Sequence, residues 1–260
     1  MRMRKTTGKK QFRQAVLICA AVCTLIILSG CSFHSNSDAV HTFAELEAAL
    51  KDADGGVSPD APVSISFAGK EKAFAIYAAL ANARKYVSLD LSKSSVAGFD
   101  SSSVYPAGSR WIVSLILPDN LTKIGGEAFA GWTQLRHIFI PPSVTAIGEY
   151  AFYNCSSLAD IQIPESVATI GEYAFHRCTS IAELTIPESV EYIERDAFSS
   201  CGNLNIVTFL GDGTRIADNT VFPGGTKFRE AAARSEFSGS GLYIAARGVY
   251  LRNGMEWNRE

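Results

Sequence analysis

The stretch IPPSVTAIGEYAFYNCSSLADIQIPESVATIGEYAFHRCTSIAELTIPESV, residues 140–190, repeats one pattern every 23 residues. Four consecutive units carry this pattern, at 118–140, 141–163, 164–186 and 187–209. Because one such unit cannot bury its own apolar face, we expect the units to stack on one another as a solenoid. In register they form an isoleucine column and a phenylalanine column: Ile124, Ile147, Ile170 and Ile193, and Phe129, Phe152, Phe175 and Phe198.

The first 30 residues have the composition of an export signal. They hold six basic residues and no acidic residue, and an apolar stretch runs from residue 15 to 28. A basic segment before a short apolar segment predicts secretion, and this one is too short to favour a membrane span. Residues 28–31, Leu-Ser-Gly-Cys, resemble the bacterial lipobox, in which Cys31 becomes the lipid-modified first residue. The alternative is an ordinary signal peptide with a chance cysteine.

The predicted mature protein is acidic. Without the six basic residues of the signal, 18 of the 24 basic residues remain against 26 acidic residues, which gives a net charge of −8. This charge argues against binding to nucleic acid and against a polybasic membrane patch. Membrane attachment is therefore assigned to the acyl chains on Cys31, each of whose buried methylenes contributes about 0.8 kcal/mol.

Three cysteines of the predicted mature chain occupy one column of the repeat. Cys155, Cys178 and Cys201 are 23 residues apart, and Trp132 takes the same register in the first unit. A position that accepts either Trp or Cys is a packing position, which favours buried free thiols. One disulfide and a metal site with His176 are the alternatives, but the spacing of zinc ligands is missing. We predict no metal and no cofactor.

The segments that flank the repeats predict mixed structure. A capping box at 42–45 begins a helix, residues 63–67 alternate as a strand does, and a second helix is expected at 70–84. After the repeats we expect a helix at 227–237 and a hairpin at 249–257 that turns at Asn-Gly. The predicted organisation is a signal at 1–30, a tether at 31–37, an N-terminal cap at 38–86, repeats at 87–224 and a C-terminal cap at 225–260.

The unit Ile-Pro-Glu-Ser-Val-x-x-Ile-Gly-Glu-Tyr-Ala-Phe-x-x-Cys-x-x-Leu/Ile resembles the BspA-like leucine-rich repeat of bacterial surface lipoproteins. The match is strong over 118–209 and weaker over 87–117 and 210–224. The resemblance implies an α/β solenoid: a leucine-rich-repeat arc with a parallel β-sheet on its concave side and short turns on its convex side. With the flanks, the expected fold has a mixed α/β N-terminal cap and a C-terminal helix/hairpin cap. The resemblance also implies adhesion to host molecules or to other cells.

Candidate binding residues follow from the alternation of side chains along each predicted concave strand. Ile116 and Phe139 are expected to project outward on neighbouring strands as an exposed apolar pair. Apolar surface with a polar rim is typical of an interaction site. A loop or the N-terminal cap that covers the pair is the alternative. The predicted site consists of Ile116, Arg136, His137, Phe139, Asp160 and Gln162.

The sequence contains none of the common catalytic motifs. It has no nucleophile elbow, phosphate-binding loop, metal-ligand helix or Gly-rich dinucleotide turn. We therefore predict a non-enzymatic protein that binds a protein or an extracellular-matrix-type macromolecule. A periplasmic scaffold or envelope-structural lipoprotein is the alternative, and an enzyme with its site in the caps is a further one. The predicted location is a bacterial membrane, with the protein on the outer surface or in the periplasm.

Overall fold

The structure, a computed structural model of the 260-residue chain, describes residues 39–70, 72–96, 108–218, 220–224, 233–236, 243–253 and 256–259. The predicted signal, Cys31 and the tether lie outside these residues. Ala39–Glu260 forms one unit. Within the described ranges, no helix combines the length and the apolar character that crossing a membrane would need.

Within the described residues, two helices precede the repeats, and their apolar residues join the core of the solenoid. Helix α1 (Phe43–Asp52) begins at a capping box, in which Thr42 and Glu45 satisfy each other's backbone N–H groups. Helix α2 (Ala73–Ala83) ends at Arg84, which has a left-handed conformation with φ 53°. Leu46 and Leu80 are fully buried in the common core cluster. The N-terminal segment therefore packs on the repeats.

Apart from a 3-10 helix at Ser109–Trp111, strands make up the remaining regular structure of the described residues, and most are short. Those of the first sheet and of its continuation are β1 (Val63–Ser66), β2 (Val87–Asp90), β3 (Ile112–Ile116), β5 (His137–Phe139), β7 (Asp160–Ile161), β9 (Glu183–Ile186) and β11 (Ile206–Phe209). Those of the second sheet are β4 (Lys123–Ile124), β6 (Ala146–Ile147), β8 (Thr169–Ile170), β10 (Tyr192–Ile193) and β12 (Arg215–Ile216). Four more follow: β13 (Ala233–Glu236), β14 (Tyr243–Ala245), β15 (Gly248–Asn253) and β16 (Glu256–Arg259).

The repeats form a parallel-sheet β-solenoid. Strands β1, β2, β3, β5 and β7 form one parallel sheet in that order, and β9 pairs in parallel with β11 at the same position of later repeats. Strands β4, β6, β8, β10 and β12 form a second parallel sheet. At the C-terminal end, β15 pairs antiparallel with β11, and β14 pairs antiparallel with β12. The last rung therefore does not present an open edge at either sheet.

Stacked phenylalanine rings run through the core of the solenoid. The rings of Phe129, Phe152, Phe175, Phe198 and Phe222 follow one another with centroids 5.0–5.3 Å apart and nearly parallel planes. All five are buried. The predicted phenylalanine column is confirmed, and Phe222 extends it by one weak repeat.

The cysteine column forms a ladder of hydrogen bonds beside these rings. The thiols of Cys155, Cys178 and Cys201 are free and fully buried. Each donates to a carbonyl oxygen of the preceding rung at 3.1 Å, those of Phe129, Phe152 and Phe175 respectively. Free buried thiols were the preferred prediction from the sequence, and the structure confirms it.

The structure departs from the sequence-based expectations in two places. The side predicted to carry only short turns contains the second parallel sheet, and the described part of the repeats contains no α-helix. The repeats are therefore a β-solenoid rather than α/β. The helix predicted at 227–237 is wrong over Ala233–Glu236, which is a strand paired with β14 across a bulge; the rest of that prediction lies outside the described residues.

Close stacking of the rungs explains a glycine position that repeats beside the second sheet. A Cβ atom on Gly148 would lie 2.8 Å from the backbone carbon of Gly125, and one on Gly171 would lie 2.7 Å from the backbone nitrogen of Glu149. Real Cβ contacts do not reach such distances, so a side chain at either position would push the rungs apart.

Candidate ligand-binding face

Ile116 and Phe139 lie side by side on the outward side of the first sheet. They are register partners in the parallel pair β3–β5. Phe139 is 41% exposed, although it lies between the buried Ile138 and Ile140, and Ile116 is half-buried. We name Ile116 and Phe139 the apolar patch, and the outward side of β2, β3, β5, β7, β9 and β11 the long-strand face.

Polar groups adjoin the apolar patch on the same face. His137 is paired in register with Ser114 on one side and with Asp160 on the other. His137, Asp160 and Gln162 are all exposed. These side chains offer a ring nitrogen, a carboxylate and an amide around an aromatic centre. Such a mixture of aromatic and polar side chains is typical of a contact surface for a macromolecule.

Arg136 has a partner within the chain. Its guanidinium group lies 2.6 Å from the carboxylate of Asp60, which belongs to the loop between α1 and β1. Asp60 is 78% exposed at its side chain, and such surface ion pairs contribute about 0–1 kcal/mol. A ligand that competes for Arg136 would therefore displace Asp60 at little cost.

The C-terminal strand β15 adds side chains to the long-strand face that sequence reasoning missed. In the antiparallel pair, Ile206 lies opposite Leu251 and Thr208 lies opposite Val249. All four are half-buried. The alternation at 249–251 indicated a strand but did not reveal its partner. The face is thus apolar near both ends, with the exposed Asp160 and Glu183 between them.

The three buried thiols are expected to be unreactive. Burial raises the pKa of Cys155 and of Cys201 to about 12, and it raises the pKa of Cys178 well above the ordinary value. A thiol is nucleophilic and binds metal only as the thiolate. Across the described ranges, no group of three or more His, Cys, Asp and Glu side chains could hold a metal ion.

Comparisons with known proteins identify the type of repeat in the middle of this chain. Residues 107–227 match the model of the BspA type leucine rich repeat region in six copies. The chain therefore carries a leucine-rich-repeat solenoid of about six turns, and its repeats are of the BspA type. No curated protein matches this chain.

Three solved structures share part of the sequence. A leucine-rich repeat protein from Bacteroides ovatus is 37% identical over 38% of this chain and 26% of its own, with a TM-score of 0.37. A leucine rich cell surface protein from Faecalibacterium prausnitzii is 35% identical over 39% of this chain and 27% of its own, with a TM-score of 0.38. A leucine rich repeat protein from T. pallidum is 29% identical over 39% of this chain and 57% of its own, with a TM-score of 0.33. The matches thus span between about a quarter and somewhat over half of those proteins.

Proposed function

We propose that this chain is an exported, lipid-anchored bacterial protein that binds a protein or extracellular-matrix-type macromolecule through the long-strand face, in adhesion or host interaction. The observation that carries the binding proposal is the exposure of Phe139, 41%, on that face. Phe139 is one of only two large hydrophobic residues of the described chain that are this exposed, and the other, Val57, lies in a loop. Export and anchoring rest on the signal composition and on the lipobox at Cys31.

The site is suited to recognition by burial of an aromatic anchor. Truncation of such an anchor in an interface typically weakens binding by 2 kcal/mol or more, which corresponds to about a thirtyfold loss of affinity. Because Phe139 is partly exposed and lies outside the buried phenylalanine and isoleucine columns, its truncation leaves those columns intact. Binding and folding can therefore be separated at this residue.

The test is a binding assay with the full chain against a panel of purified extracellular-matrix proteins. For each protein that binds, Phe139→Ala is expected to weaken binding about thirtyfold, while Thr208→Ala at the far end of the same column changes it little. Thermal unfolding of both variants should match that of the parent. If the two variants bind alike, the long-strand face around Phe139 is not the contact surface.

An inward-facing envelope scaffold differs from an adhesin in its accessibility. Protease added to intact cells should degrade the chain if it faces outward. Full protection on intact cells, lost only after the envelope is opened, would favour the scaffold.

A further inference from the structure

Four aromatic rings lie together on the turn side of the solenoid, away from the long-strand face. Tyr150 stacks on Tyr173 with centroids 4.8 Å apart, and Tyr153 stacks on His176 with centroids 5.3 Å apart. Within one rung, Tyr150 and Tyr153 meet at 5.5 Å with their planes inclined by 60°. The two tyrosines therefore form a corner with two aromatic walls.

One end of these two stacks is occupied by the next rung. On the Tyr173 side, the negative charge of Asp196 raises the pKa of the tyrosine hydroxyl. On the His176 side, the ring nitrogen Nδ1 lies 2.6 Å from the hydroxyl of Ser199. Polar side chains of this chain thus already engage the rings at that end.

At the opposite end, which faces the preceding rung, the two stacks have different neighbours. The preceding rung carries Glu127 in the Tyr150 column and Ala130 in the Tyr153 column. The rungs are in direct contact there, because the N–H of Glu127 donates to the carbonyl of Glu149 at 2.8 Å and that of Gly131 donates to the carbonyl of Tyr153 at 2.7 Å. A methyl group cannot cover a tyrosine ring, so the outer face of Tyr153 is left without a large neighbour from this rung.

The side chain of Glu127 is an unfavourable neighbour for the ring of Tyr150, which lies in the same column. The face of an aromatic ring carries partial negative charge, which a carboxylate does not neutralise. Glu127 and Glu149 are both exposed, and burial together with the charges of Glu149 and Glu172 raises the pKa of Tyr150. Within residues 108–218, no arginine or lysine lies over the ring of Tyr150 or Tyr153. The charged side chains that raise the pKa of Tyr150 are therefore carboxylates, Glu149 and Glu172 foremost and Glu127 among them.

The same chain fills a comparable arrangement elsewhere. The guanidinium carbon of Arg215 lies 5.8 Å from the centre of the Tyr192 ring, and the guanidinium group also lies 4.0 Å from the carboxylate of Glu191. A tyrosine face beside a carboxylate thus already holds an arginine in this fold, supplied by the register partner of Tyr192 on the neighbouring strand.

We propose that Tyr150, Tyr153 and Glu127 form a second binding site, which accepts the guanidinium group of an arginine on a protein partner. The planar guanidinium stacks on aromatic rings and donates N–H groups to a carboxylate at the same time. A quaternary ammonium lacks those donors, so the carboxylate selects against it. This site is separate from the apolar patch and does not depend on the binding proposed there.

The test uses the full chain and a fluorescein-labelled tetra-arginine peptide at low ionic strength, because exposed charge interactions are screened by salt. A peptide with citrulline in place of arginine keeps the shape and removes the charge. We expect the arginine peptide to bind at least tenfold more tightly than the citrulline peptide. Unlabelled arginine amide should displace it at lower concentration than tetramethylammonium does.

Substitutions locate the binding on the molecule. Glu127→Gln and Tyr150→Leu are each expected to weaken the arginine peptide about threefold, whereas the matched substitution of the exposed Glu165→Gln leaves it unchanged. Phe139→Ala should also leave it unchanged. Because Glu127 is exposed, Glu127→Gln is expected to fold normally. It therefore tests the proposal even if Tyr150→Leu fails to fold. Equal binding of the two peptides, or equal affinities of Glu127→Gln and Glu165→Gln, would overturn the proposal.

Discussion

Removal of one ring from the phenylalanine column tests the stacking that holds the solenoid together. In Phe152→Ala the lost ring is fully buried, and it stacks on Phe129 at 5.1 Å and on Phe175 at 5.0 Å. Rungs on both sides fix the spacing, so the cavity has little room to collapse. Truncation of a buried phenylalanine costs about 3–5 kcal/mol, part of which is the loss of two aromatic pairs.

Urea denaturation of the full chain, followed by circular dichroism, measures this loss. The control is Gln162→Ala, which removes an exposed side chain from the same repeat and is expected to cost about 0.5 kcal/mol or less. Since a domain is stable by only about 5–15 kcal/mol, the first variant should unfold at clearly lower urea. Equal shifts of the midpoint in the two variants would show that the assigned register is wrong.

Two further predictions concern cysteines. Replacement of Cys31→Ser should abolish labelling by a fatty-acid analogue and leave unprocessed precursor in the membrane; a variant that is still labelled and partitions unchanged into detergent would disprove the lipobox. At alkaline pH the fold should weaken, because the ordinary thiol pKa of 9.0 rises to about 12 at Cys155 and Cys201 on burial. The stability that these neutral thiols contribute is complete below pH 9 and is lost as the pH rises toward 12, at about 1.4 kcal/mol per pH unit for each thiol. Urea midpoints at pH 8 and 10 check this, and a variant with Cys155, Cys178 and Cys201 all changed to alanine should show a shallower decline; identical declines would contradict it.

The sequence predicts the periodic part of this fold well. Each rung repeats the same side chains, so the columns of Phe152 and Cys178 follow from counting residues alone. The strand alternation likewise predicts that Phe139 points outward and Ile138 inward, as the structure has them. Local spacing suffices here because neighbouring rungs are neighbours in sequence.

Features that depend on distant segments were not predictable in this way. The ion pair of Arg136 with Asp60 joins residues 76 positions apart, and the pairing of β15 with β11 joins segments about 40 residues apart. The strands of the second sheet are two residues long, too short to give an alternation. The strand conformation of β13 depends on its pairing with β14, and its own sequence does not indicate it.

The aromatic corner was missed for a related reason. Tyr150 and Tyr173 have positive φ, 54° and 55°, a region that bulky side chains rarely adopt. The direction of their rings depends on that backbone, which the repeat pattern does not encode.

The most direct test of the central claim places a thiol at the apolar patch. In Phe139→Cys, the native Cys155, Cys178 and Cys201 are buried and provide a silent background. Peptide mapping after brief treatment with a maleimide should show modification at position 139 and none at those three. Saturation with a matrix protein that binds in the panel should slow the modification of position 139 at least tenfold. A thiol at 139 that is unreactive in the free protein, or equally reactive with and without the bound partner, would contradict binding through this face.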